Sequence, residues 1–150
     1  MEALRGQNME AEICLDESNV RVTFVKMTTV TQYETEDGKV PFQRWFASLG
    51  TKAALKVTTA VAQMKCGNFG DHKSVGGGVW ERRINFEKGY RIYYARDGDE
   101  LVILFCGGTK SRQQSDIHKA KELWSEYKKR KKQEKDGKAT IRPGNKRKKR

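Results

Sequence analysis

The chain has no long apolar run. Its longest is LVILFC, residues 101–106, whereas a membrane-spanning helix needs about 20 such residues. The opening MEALRGQNMEAEICLDE is acidic and has no apolar centre, so it does not read as a secretory signal. Cysteine is scarce. Cys14, Cys66 and Cys106 are odd in number, far apart and never in a C-x-x-C pair. This argues against a disulfide framework or a zinc site and fits a reducing cytoplasm, with no metal or cofactor expected. Internal repeats are missing too. The glycine-rich stretch GNFGDHKSVGGG, residues 67–78, lacks the G-K-[ST] ending of a P-loop and has no strong strand before it. A flexible connection into a sheet is therefore the better reading than a phosphate cradle.

Positive charge is what the chain has in excess. The net charge is +12, unevenly placed. Residues 128–150 hold 13 Lys/Arg against 2 Asp/Glu, and residues 1–38 hold 3 against 8. Residues 39–127 hold 15 against 9, leaving the body at +6. A basic tail alone is a common solvated run. The body points more firmly to an anionic partner, because folding fixes where its charges point.

Three regions are expected. Residues 1–26 form an extension that fits poorly with the rest, and Met27 looks like a natural start for a compact domain. Residues 27–127 form that domain. Residues 128–150 form a basic, largely disordered tail.

Within the domain, TTVTQYE (28–34) reads as a strand. Pro41 opens a helix whose apolar stripe is Phe42, Trp45, Phe46 and Leu49, ended by Gly50. Thr51 caps a second helix that buries Ala54, Val57, Val61 and Met64. The close connection makes the two an antiparallel pair. VWERRINF (79–86), YRIYYAR (90–96) and LVILFC then form an antiparallel meander, with Asp97-Gly98 as the hairpin turn. LVILFC is apolar on both faces, so it is the central, covered strand. Gly107-Gly108 lets the backbone leave the sheet. Ser111 and Gln114 have capping-box spacing before a final helix that buries Ile117, Ala120, Trp124 and Tyr127. The fold class is α+β: a helical hairpin on a small, mainly antiparallel sheet, with a C-terminal helix.

Cations recur along this meander. Glu81, Arg83 and Asn85 share one strand face, and Arg82 points the other way. Arg83, Arg91 and Lys110 come from successive strand regions that lie side by side. Each alone is an ordinary solvated strand residue. Together they suit a polyanion, with Tyr93 available for base stacking. Fixed cations would also stabilise the extra charge of a phosphorane-like transition state. Proton-transfer candidates near them are Glu81, Asp116 and His118. Asp116 equally suits the first turn of a helix for dipole reasons. His118 is more simply an exposed helix residue, and nothing brings His72 near it.

The run GNFGDHKSVGGGVWERRINFEKGYRIYY…DGDELVILFCGGTKSRQQSDIHKA resembles the addiction-module killer proteins of the RelE/ParE toxin superfamily, HigB and RelE among them. The likeness covers about residues 28–127. It implies the toxin of a type II toxin–antitoxin pair, with a neighbouring gene's small DNA-binding antitoxin as partner. It also implies a metal-independent endoribonuclease that cuts mRNA, often on the ribosome. Arg83, Arg91 and Lys110 match cationic positions of the RelE branch. Glu81 stands where that branch has a lysine, and Asp116 stands where it has a catalytic tyrosine. The catalytic set expected is Arg83, Arg91, Lys110, Glu81 and Asp116. Arg82, Tyr93, Arg112, Lys128, Lys129 and Arg130 are expected to bind RNA. A ParE-like, non-enzymatic inhibitor of DNA gyrase and a plain RNA-binding domain are the alternatives.

Overall fold

A computed structural model describes residues 9–15, 20–99 and 101–139. Strands β1 (Met9–Leu15) and β2 (Val20–Lys26) pair with each other as a two-stranded antiparallel sheet. The alternating stretch VRVTFV, residues 20–25, forms most of β2. The expectations for the acidic start at residues 1–8, for residues 16–19 and for the end of the basic tail at residues 140–150 lie outside the described residues.

A five-stranded sheet organises the rest. Its strands are β3 (Thr29–Gln32), β4 (His72–Gly76), β5 (Val79–Ile84), β6 (Tyr90–Asp97) and β7 (Leu101–Thr109), in the order β3-β7-β6-β5-β4. Only β3 runs parallel to its neighbour, and the other pairs are antiparallel. Helices α1 (Pro41–Ala47) and α2 (Thr51–Lys65) follow β3, and α3 (Gln113–Ala139) follows a 3-10 turn at Lys110–Arg112. The α+β class is as the sequence indicates. Among the described residues no helix is long and apolar enough to cross a membrane.

Two apolar cores sit on opposite faces of the sheet. Phe42, Val57, Ala60 and Met64 of α1 and α2 meet Ile92, Tyr94, Val102 and Leu104. On the other face, Ala120 and Leu123 of α3 meet Tyr33, Val79, Tyr93, Ala95, Ile103, Phe105 and Cys106. β7 is covered on both faces, as its unbroken apolar run requires. Cutting Phe105, which is fully buried, back to alanine would cost about 3–5 kcal/mol.

A bulge sits between Tyr93/Tyr94 on β6 and the facing residues of β7. It leaves Phe105 as the extra residue, so Phe105 and Cys106 both join the α3-side core. After it, alternation resumes: Gly107 faces the ring of Trp45 and Gly108 faces the carboxylate of Asp116.

Several local expectations change. Gly107 and Gly108 remain in β7. They are small because Trp45 and Asp116 occupy the space a side chain would need. Gly50 is the N-cap of α2, and α1 is closed by Ser48. Thr51 is the first helical residue, and no side chain caps α2. The buried stripe of α2 is Ala53, Val57, Ala60 and Met64, rotated from the expected Ala54 and Val61. Ser111 lies in the 3-10 turn and meets the Thr109 hydroxyl at 3.1 Å instead of capping α3. The glycine-rich stretch contributes edge strand β4. Finally, α3 continues past Tyr127 to Ala139.

Candidate phosphate-binding site

Sheet register builds the site. Arg83 of β5 pairs with Arg91 of β6, and Arg91 pairs with Gly108 of β7. All three therefore lie in one row on the α3 side of the sheet. Lys110 follows at the end of β7, and its amide donates to the Gly89 carbonyl at 3.3 Å. That bond holds Lys110 at the same end of the sheet as the row, with its own side chain exposed.

Next along the same face, Glu81 pairs with Tyr93. Glu81 is fully buried. Its Oε2 accepts from the Tyr93 hydroxyl at 3.2 Å and from Gln113 Nε2 at 2.6 Å. Arg91 Nε lies 3.1 Å from the same oxygen, though its N–H is not aimed along a hydrogen bond. Burial first, and Glu81 second, push the Tyr93 phenol well above its ordinary value, so it stays protonated and donates. Arg91 has a side chain only 10% exposed. Arg83 is more open, and its Nη2 donates to Asp71 Oδ1 at 3.1 Å across the β4–β5 edge.

Asp116 occupies the first turn of α3, where an acid favours the helix dipole. Its Oδ2 is sealed from solvent without a hydrogen-bond partner. Burial raises its carboxyl above the usual carboxylate range, and Arg112 and Lys119 oppose that rise. Its carbonyl accepts a weak bond from the Cys106 thiol at 3.7 Å. Burial pushes that thiol up to about 12, which leaves it unreactive.

The other candidates separate. Arg82 faces the α1–α2 side, where Nη2 donates to Gln63 Oε1 at 2.7 Å and Nη1 to the Asn68 carbonyl at 3.3 Å. Its guanidinium fills the space beneath Gly70 and is 7% exposed as a residue. This ties the end of α2 to β5 rather than presenting a cation to solvent. Tyr93 is fully enclosed and offers no open ring face. Arg112 and Lys129 are exposed. Lys128 lies over the Trp124 ring at 5.1 Å. Arg130 donates to the Tyr33 hydroxyl and the Glu34 carbonyl at 3.0 and 2.8 Å. His118 bridges to Glu122 at 3.1 Å on the exposed face of α3. His72 is paired with Arg82 in register, so it lies on the opposite face of the sheet. Among the described residues, no three His, Cys, Asp or Glu side chains converge as metal ligands would.

A groove of about 1170 Å³ runs between the loop before α1 and α3, over the end of β7. Gly108 and Asp116 line it, but Arg83, Arg91 and Lys110 do not. The cation row is thus a neighbour of the groove and not its floor. Sequence reasoning missed two functional-looking residues. Asp71 could have been suspected as an acid flanking a cationic strand. Gln113 carried no signal, since its partner is 32 residues away.

The model of the family described as Phage derived protein Gp49-like (DUF891) matches residues 44–125. The chain belongs to that family. An uncharacterized protein of Haemophilus influenzae (strain Rd) is 43% identical to this Gp49-like chain over 86 residues, 57% of this chain and 87% of the relative. The matched span takes in β5, β6, β7 and most of the first half of α3, and so contains the whole Arg83–Arg91–Lys110–Asp116 group.

Proposed function

We propose that this Gp49-like protein is the toxin of a type II toxin–antitoxin pair. It arrests growth by metal-independent cleavage of mRNA in the cytoplasm, in association with the ribosome. The observation that carries the reading is the cross-strand row of Arg83 and Arg91, closed by Lys110 at the same sheet end. Fixed cations at neighbouring strand positions match the charge spread over a scissile phosphate. Asp116 is the proton-transfer group. Its burial-raised carboxyl suits an acid that donates to the departing 5′-oxygen. Arg112, Lys128 and Lys129 add phosphate contacts outside the row. The partner is a small DNA-binding antitoxin that covers the basic face and neutralises it.

One observation favours a second reading, a non-enzymatic inhibitor of DNA gyrase. Arg91 is almost enclosed and already has Glu81 as counter-ion. Fold alone does not separate the two readings. Brief induction in a bacterial host followed by mapping of RNA ends does. New in-frame mRNA ends support the nuclease. DNA breaks with intact mRNA refute it in favour of the gyrase reading, and growth arrest with neither refutes both.

A further inference from the structure

We propose that Glu81 and Gln113 are positioning residues: they hold the Nε edge of Arg91 and leave its terminal nitrogens, Nη1 and Nη2, turned out for a phosphate oxygen. This rests on the reading of Arg91 as a phosphate ligand.

Two hydrogen-bond donors and one ion-pair partner, from two elements, converge on one oxygen. Tyr93 and Arg91 reach Glu81 Oε2 from β6, and Gln113 reaches it from α3, at 3.2, 3.1 and 2.6 Å. A fully buried carboxylate is costly unless it is paired and hydrogen-bonded in this way. The other oxygen, Oε1, is sealed and has no partner. Glu81 thus has no open path to a substrate, and a group without such a path does not exchange a proton with one. Its role is to fix its neighbours.

Arg91 is held on one edge only. Its Nε is enclosed beside Glu81. Among the described residues, neither terminal nitrogen makes a hydrogen bond, and neither is sealed from solvent. Nη1 reaches to within 3.7 Å of where a side chain at Gly89 would begin. Glycine there is required by its φ of +79. A planar fork fixed at one edge presents its other edge in one orientation, which is what two-point contact with a phosphate requires.

Gln113 adds a second consequence. It sits where the 3-10 turn Lys110–Arg112 becomes α3. One hydrogen bond therefore ties the segment carrying Lys110, Arg112 and Asp116 to the carboxylate that holds Arg91. The latch sets the relative position of cations and acid.

The test uses the full chain carrying Gln113→Ala or Glu81→Gln. Gln113 is half-exposed, so its truncation opens no core. Two measurements are made: the Arg91 Nε–H signal by 1H–15N NMR, and steady-state cleavage of an mRNA bound to ribosomes, across pH. In Gln113→Ala the Arg91 signal is expected to shift or broaden while the backbone spectrum is kept. The kcat value falls about tenfold or more with KM within about twofold, the pattern of a missing transition-state interaction. Glu81→Gln changes the same signal, lowers kcat and leaves both limbs of the pH profile in place. An unchanged Arg91 signal in Gln113→Ala overturns the latch. Loss of one limb in Glu81→Gln, with the Arg91 signal intact, overturns the positioning role and makes Glu81 an acid–base group. If the wild-type protein cleaves no RNA, the nuclease reading fails, and the NMR arm still decides the latch.

Discussion

Arg82 and Arg83 are adjacent and chemically identical, yet one is structural and the other faces the candidate site. Strand alternation read from the sequence puts them on opposite faces, but the same reading assigns Arg82 to RNA binding, and the fold buries it against α2 instead. Alternation does not give their partners, because Gln63, Asn68 and Asp71 come from other elements. On the proposed reading Arg91 binds the scissile phosphate, and its removal has two effects. Arg91→Ala should abolish growth arrest. It should also leave Glu81 buried without its counter-ion, which costs about 3–5 kcal/mol. The double variant Arg91→Ala/Glu81→Gln should recover most of that stability in urea unfolding and remain non-toxic. Toxicity that returned with stability would show Arg91 to be a folding residue only. Asp116 gives a pH signature. Its carboxyl is raised in the folded state by burial, so the folded protein binds more protons than the unfolded chain between the two pKa values. Stability from this group is greatest below the ordinary carboxylate pKa and is lost as pH rises through the raised one. Thermal unfolding from pH 3 to 8 should show Asp116→Asn flattening that decline; an unchanged slope would mean that Asp116 ionises freely.

Elements were legible where periodicity was strong and illegible where a third element set the geometry. The meander, the first helix and the apolar β7 follow from alternation and the 3.6 repeat. The bulge at Tyr93/Tyr94 does not, because one extra residue in an apolar run leaves no trace in composition. The caps were misplaced by one or two residues for a similar reason. Gly50, not Thr51, takes the cap position of α2. The triple glycine 76–78 has a tertiary cause. It turns β4 into β5 beneath α3, where Lys121 and Trp124 lie over it. Gly78 has φ +88, and a Cβ there would lie 2.6 Å from Trp124 Nε1. Both the left-handed backbone and the close approach exclude a side chain. Gly78→Ala should therefore destabilise by roughly 2–5 kcal/mol, strain and close contact together, read as a lower urea midpoint at constant m-value. Gly98→Ala also carries a positive φ, +79, but meets no atom within 4 Å. It should cost about 1–2 kcal/mol from strain alone. Equal destabilisation in the two variants would remove Trp124 from the explanation.

At the scale of the whole molecule, α3 joins two roles. Its first half closes one core through Ala120 and Leu123. Its second half carries cations beyond that core, and two of them are engaged with the body. Arg130 holds Tyr33 and Glu34, and Lys131 Nζ lies 2.6 Å from Asp97 Oδ2. Sequence composition marked this stretch as a basic tail because charge blocks bury nothing, and it could not register that helix formation places every third or fourth residue back against the domain. The division of labour makes truncation after Tyr127 a poor test, since it would remove the Arg130 and Lys131 interactions along with the charge. Lys128, Lys129 and Lys132 are exposed, and changing all three to glutamine keeps helix propensity and those interactions. If this end of α3 grips RNA phosphates, affinity for a single-stranded RNA should fall at low salt. The slope of log K against log salt should flatten by about 0.7 for each phosphate that is no longer neutralised, or about 2 for all three. Thermal stability should fall by no more than the loss of the Lys128–Trp124 contact, about 0.5–1 kcal/mol. A triple variant with the wild-type slope would confine RNA binding to the sheet row and leave the far end of α3 as solvated charge.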